Sequence, residues 1–185
     1  MDNPTRTILA LDAANKTGWA IVPVSANPTP ESWGTIGGST DKARRRGIRK
    51  RFFEVEAKYA RGNGDKVLVY IEDQHVQRGP GGIITPESLR AVWKLRLIMG
   101  WFEMACEEYV WPFEAVAVKD WRKAMYGKQW TKGAGRAKYK TLAVFMVRAM
   151  FPRITFTGLT HDEAEAILIG CYGAKREWLK DRGMK

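Results

Sequence analysis

Two apolar runs in the chain each end on a carboxylate. Thr7-Ile8-Leu9-Ala10-Leu11 closes on Asp12, and Val67-Leu68-Val69-Tyr70-Ile71 closes on Glu72. Short runs without polar alternation read as strands covered on both faces. After the first, the turn-like Asn15-Lys16-Thr17-Gly18 leads into Trp19-Ala20-Ile21-Val22, and a third segment lies around Trp33 to Gly37. This opening region predicts a β-meander. From Asp41 to Arg61 the spacing turns helical, and Gly62-Asn63-Gly64-Asp65 stops that helix before the strand Lys66 to Asp73.

A glycine-rich loop, Gly79-Pro80-Gly81-Gly82, then precedes a long helix that runs to about Tyr109, with Thr85 as N-cap and Pro86 at its first position. Leu89, Val92, Trp93, Leu95, Leu97, Met99, Trp101, Phe102 and Met104 give this helix more apolar surface than one stripe requires. Either a broad face is buried within the monomer, or one side meets the sheet and the other a second chain. Gly100 inside it costs about 1 kcal/mol relative to alanine, which a close helix-helix approach would offset. A short strand, Phe113 to Val118, a short helix through Trp121 to Met125 and an exposed loop, Gly127 to Gly135, come next. Helices over Arg136 to Met150, ended by Pro152, and His161 to about Leu179 finish a chain that reads as one domain over residues 1–185.

Against this pattern four carboxylates are out of place: Asp12 and Glu72 on core strands, and Asp162 and Glu165 at the mouth of the last helix. A buried charge costs several kcal/mol, roughly, unless it is neutralised. Carboxylates on rigid strand ends and a helix face are economically neutralised by divalent cations, and all-oxygen ligands suit magnesium or manganese. Each residue also has a plainer role open to it. Asp12 can start an Asx-turn, Asp162 can favour the helix dipole, and Glu72 can be a solvated strand end, although alternation makes Asp73 the outward member. Thr160 and Glu163 form a capping box, which gives Glu163 a structural task and leaves Asp162 and Glu165, three apart, on one helix face. His161 beside them is either a ligand or polar surface, and His75 either stacks on a base or ends its strand.

Charge sharpens the picture. Lys+Arg number 31 against 20 Asp+Glu, a formal net charge of +11, which favours a polyanionic partner. One basic cluster includes Arg44, Arg45 and Arg46; another runs through Lys119, Arg122, Lys123, Lys128, Lys132, Arg136, Lys138 and Lys140, with Trp121 and Trp130 interleaved. Such a set suits DNA phosphates, with Trp130 available to stack on an unpaired base, although a charge run can also be only a solvated face. No stretch has the apolar length of a spanning helix and no signal-peptide pattern opens the chain, so an intracellular, soluble protein is expected, cytoplasmic or in the host-cell cytoplasm if viral. Cys106 and Cys171 sit in apolar helical sequence and read as buried thiols.

In their order and spacing these motifs resemble the RuvC-like Holliday junction resolvases of the RNase H-like superfamily. Ile8-Leu9-Ala10-Leu11-Asp12 with Thr17-Gly18-Trp19-Ala20 is similar to the family's opening hairpin, and Val69-Tyr70-Ile71-Glu72 to its glutamate strand. Pro112 to Lys119 is similar to the fifth strand and the basic residue after it, and Asp162-Glu163-Ala164-Glu165-Ala166-Ile167-Leu168 to the terminal D-x-x-D-A-L pattern. Glu165 stands where the family usually has aspartate, and Ala13-Ala14 follow Asp12 in place of Pro-Gly, which suggests a divergent, possibly viral, branch.

The resemblance implies an α/β fold with a mixed five-stranded sheet ordered 3-2-1-4-5, helices on both faces and a homodimer acting on branched DNA. It implies paired hydrolysis of a four-way junction, leaving 5′-phosphate and 3′-hydroxyl ends, with two Mg2+ or Mn2+ ions per site. Asp12 would bridge the ions, Glu72 ligate one, and Asp162 and Glu165 hold the other, while Lys119, with Lys128 or Lys132, would neutralise the scissile phosphate. Three rivals share parts of the pattern. An actin-like ATPase also has an Asp-x-x-x-x-Thr-Gly hairpin but needs two such domains. A DNA-binding module without catalysis is another, and an RNase H-like nuclease acting on RNA-DNA hybrids or other branched DNA is the third.

Overall fold

The computed structural model describes residues 6–14, 16–60, 66–73, 86–129 and 136–184. Five strands form one sheet in the order β3-β2-β1-β4-β5. They are β1 (Thr7–Asp12), β2 (Thr17–Pro23), β3 (Ser32–Ile36), β4 (Val67–Asp73) and β5 (Phe113–Ala117). β1, β2 and β3 form the expected antiparallel meander, while β1, β4 and β5 are parallel. The helices are α1 (Asp41–Val55), continued by a π-helical turn to Ala60, then α2 (Pro86–Tyr109), α3 (Val118–Tyr126), α4 (Arg136–Met150) and α5 (His161–Asp181). Thr85, the glycine-rich loop and Gly62 to Asp65 lie outside the described residues.

β1 sits in the middle of the sheet and all six of its residues are buried, which explains its unbroken apolar run. Strand alternation divides the core into two layers. Ile8, Ala10, Ala20, Val22 and Tyr70 face α3, α4 and α5, whereas Leu9, Leu11, Ile21, Val69 and Ile71 face α1 and α2. In the second layer Phe52 stacks between Phe102 and Trp111, at 6.4 and 5.1 Å between ring centroids. Cys106 and Cys171 are free and buried, and burial pushes both thiols up to about 12.

α5 is wedged between the sheet and α4, and every residue from Ala164 to Cys171 is buried. Each large side chain there, such as Ile167 or Leu168, contributes about 1.5–3 kcal/mol by leaving water. The helix comes unusually close because its sheet side is small: a Cβ at Gly170 would lie 2.6 Å from Val22 Cγ2. At its start, Gly18 on β2 leaves room for the backbone of Asp162, whose carbonyl oxygen would stand 1.9 Å from a Cβ placed there. Two side-chain-free contacts thus set the height of α5 over the meander.

The N-terminal half of α2 behaves differently. No described side chain from Pro86 to Leu97 is buried, and the inward face begins at Ile98 and Met99. Leu89, Trp93, Leu97 and Met104 remain exposed on one side, Trp93 at 77%. Of the two sequence readings for this helix, the broad face buried within the monomer applies only to its second half.

Candidate active site

Alternation along β1 and β4 decides where the first two carboxylates point. Asp12 follows Ala10 by two and Glu72 follows Tyr70 by two, so both face α5. The parallel register pairs Leu11 with Ile71, which sets Asp12 and Glu72 side by side at the same edge of the sheet. Asp12 is 3% exposed and Glu72 5%. Across from them, Thr160 caps α5: its side chain accepts from the Glu163 amide, and the Glu163 carboxylate accepts from the Thr160 amide at 2.8 Å. That capping box turns Glu163 away and leaves Asp162 and Glu165 toward the strands.

The outcome is a cluster in which carboxylate oxygens of Asp12, Asp162 and Glu165 all lie within 4.8 Å of one another. Burial holds the Asp12 carboxyl well above its ordinary 3.8, and Glu72, Glu165 and Asp162 push it further in the same direction, Glu72 also sharing a hydrogen bond with it. Glu165 is raised by burial and then by Glu72, with Arg122 and Lys140 opposing. Groups that resist ionisation together are poised to take up a cation, and three hard oxygen donors fit a divalent metal ion of the magnesium class. The cluster can therefore hold a metal ion.

Two cations stand beside these acids. Arg122 on α3 donates from Nη2 to Glu165 Oε1 at 2.7 Å and lies 3.9 Å from Glu72 Oε1. Lys140 on α4 donates to Asp162 at 3.2 Å. Trp121, fully buried, donates its indole N–H to Glu72 Oε1 at 3.1 Å. In sequence Trp121, Arg122 and Lys140 belong to a basic run expected to face DNA; the structure turns Trp121 into the core and the two cations onto the carboxylates. A signal for Trp121 existed in the apolar spacing of Trp121, Met125 and Tyr126 on α3. Nothing local marks Arg122 or Lys140, because their partners are distant in sequence.

The other expected site residues are spread more widely. Lys119 is exposed as the second residue of α3, which begins earlier than expected and takes Val118 out of the strand. Lys128 and Lys138, also exposed, line one open cleft with Gln129, Thr141, Leu142 and Phe145. Arg44, Arg45 and Arg46 lie on α1, which covers the opposite face of the sheet. There Arg44 pairs with Asp41 at 2.9 Å, and Arg45 sits 5.6 Å from the centre of the Trp101 ring. His161 is exposed, its Nδ1 2.9 Å from the Lys140 carbonyl, and does not join the converging oxygens. His75, Trp130 and Lys132 lie outside the described residues. Among the described residues no helix is long and apolar enough to cross a membrane.

No protein-family model matches this sequence, and no curated protein matches it. Solved structures do. RuvC of Thermus thermophilus in complex with Holliday junction substrate superposes with a TM-score of 0.66 at 16% identity, covering 96% of this chain and 96% of that one. A second Thermus thermophilus RuvC structure gives 0.63 at 18% identity, covering 96% and 97%. With the sheet order 3-2-1-4-5 and helices on both faces, the chain has the RuvC-like form of the RNase H-like fold.

Proposed function

We propose that the protein is a structure-selective endonuclease that resolves four-way DNA junctions by paired, divalent-metal-dependent phosphodiester hydrolysis, leaving 5′-phosphate and 3′-hydroxyl ends. The observation that carries this reading is the convergence of Asp12, Asp162 and Glu165, with Glu72 bonded to Asp12, at one edge of the sheet. The substrate class is taken from the RuvC that has the same fold and is in complex with a Holliday junction.

Asp12, Glu72, Asp162 and Glu165 would hold two Mg2+ or Mn2+ ions, which when bound supply an activated water and neutralise charge on the phosphoryl oxygens. The chain itself supplies rigidity and charge. Strand register fixes Asp12 against Glu72, and the capping box fixes the first turn of α5. Lys140, at the rim, offers an ammonium to a non-bridging phosphate oxygen. Lys119, with Lys128 or Lys132, would neutralise the scissile phosphate, Lys138 would hold a phosphate of an arm, and His75 and Trp130 would stack on bases. Arg44, Arg45 and Arg46, across the sheet, would meet an arm and not the cleavage site.

Pairing of cuts requires two sites, and α2 offers the means. Leu89, Trp93, Leu97, Gly100 and Met104 fall within an arc of about 80° on a helix of 100° per residue. A Cβ at Gly100 would meet nothing within 4 Å. A second copy laid against this stripe by a twofold axis would bury it, each large side chain contributing about 1.5–3 kcal/mol.

The test is cleavage of a synthetic four-way junction with Mg2+ or Mn2+. Symmetric nicks that vanish in Asp12→Asn while junction binding persists are expected. Cleavage confined to RNA-DNA hybrids would overturn the junction assignment.

A further inference from the structure

The two cations of the site are not equivalent. Lys140 reaches Asp162 from the rim on a flexible stem, its side chain 28% exposed. Arg122 is enclosed. Its guanidinium lies 5.1 Å from the Trp121 ring centre and 4.9 Å from that of Tyr139, and bridges Glu165 at 2.7 Å and Glu72 at 3.9 Å. Its Nε is buried with no hydrogen-bond partner among the described residues. Glu72 Oε1 is further occupied by the Trp121 indole. The converging set of oxygens accordingly comprises Asp12, Asp162 and Glu165, while Glu72 is engaged by Asp12, Trp121 and Arg122.

A guanidinium in such a place carries a fixed positive charge. A divalent ion held by Glu72 would stand against the fixed positive charge of the guanidinium, so the two exclude one another. We infer that Arg122 is a built-in counter-cation: it fills the second positive position of the acidic site, so that the protein without nucleic acid takes up one divalent ion per chain. The second enters when Arg122 swings to a substrate phosphate, for which its orphan Nε is a ready donor. That last step rests on the nuclease reading; the ion count does not.

The experiment is a count of bound Mn2+ by electron paramagnetic resonance and calorimetry on the full chain without DNA. One ion is expected for wild type, one for Arg122→Lys, which keeps the charge, and two for Arg122→Gln. Thermal melts give a second readout. Arg122→Gln should unfold at a lower temperature than wild type in EDTA, because Glu72 and Glu165 then repel without relief, and should gain more from Mn2+. Two ions on wild type, one on Arg122→Gln, or equal melting gains would overturn the inference. Two ions on every variant with junction cleavage intact would sink the counter-cation alone; no Mn2+ on any variant would sink the nuclease reading with it.

Discussion

Replacing Asp12 by asparagine should make the metal-free protein more stable, although it removes the residue most central to the proposed chemistry. Asp12 is buried against three other carboxylates, and among the described residues no cation pairs with it, whereas Arg122 and Lys140 pair with Glu165 and Asp162. Two unit charges at the 4.8 Å bound of the cluster repel by about 3–4 kcal/mol at an effective permittivity near 20. With Glu72, Glu165 and Asp162 each facing Arg122 or Lys140, the net gain for asparagine is about 2 kcal/mol. For a chain of 185 residues that is about 4–8 °C in Tm. The pH dependence has a defined sign. Burial, and then the neighbouring acids, raise the folded-state pKa of Asp12 above its ordinary 3.8. The native state therefore binds the extra proton, and this stabilising contribution is complete below about pH 4 and lost as pH rises through the raised value. In EDTA the advantage of the variant should widen from acid to neutral pH. Mn2+ should reverse the order by stabilising wild type and scarcely affecting the variant. Calorimetric melts in EDTA and in Mn2+ measure both effects. A variant that melts below wild type in EDTA, or that gains as much from Mn2+, would refute the reasoning.

Gly18→Ala should drive the first turn of α5 away from β2, since its Cβ meets the Asp162 carbonyl at 1.9 Å, and weaken Mn2+ affinity at least tenfold, on the order of 1.4 kcal/mol, with the circular dichroism spectrum retained; unchanged affinity would contradict the close approach. Val110, just past the end of α2, has φ at 55°, a conformation costly for a β-branched residue, while the Trp111 amide closes the turn on the Cys106 carbonyl at 2.9 Å. Val110→Gly should therefore stabilise the protein by about 1 kcal/mol, read in urea titration. Trp93→Glu should convert the proposed dimer to a monomer in light scattering without lowering the melting temperature of the monomer, because Trp93 is 77% exposed; a wild type that is already monomeric would contradict the docking of α2.

The parts of this molecule legible in its sequence are those governed by short-range periodicity. The unbroken run of β1, the alternation that sends Asp12 and Glu72 to one face, and the Thr160/Glu163 box that orients Asp162 and Glu165 follow from neighbours along the chain. Trp121 is marked only by the apolar spacing it shares with Met125 and Tyr126, a signal that a nine-residue helix repeats too few times to outweigh the basic run around it. Arg122 and Lys140 were visible as charges but not as partners: their carboxylates lie 43 and 22 residues away, a pairing only tertiary packing creates. The same holds for Glu177, an acid buried at the far end of α5, where it accepts from the Tyr70 hydroxyl at 2.8 Å and pairs with Arg6 at 3.3 Å. No periodicity distinguishes it from a surface glutamate.

The order in which the acids occur along the chain bears on its synthesis. Asp12 and Glu72 leave the ribosome long before Asp162 and Glu165, which arrive on the helix that fills the space over the meander. Until that helix docks, a nascent or prematurely terminated chain exposes half of the acidic set on an uncovered sheet. On the nuclease reading such fragments would lack the complete acidic set, so the topology itself would delay any cutting until that helix has docked.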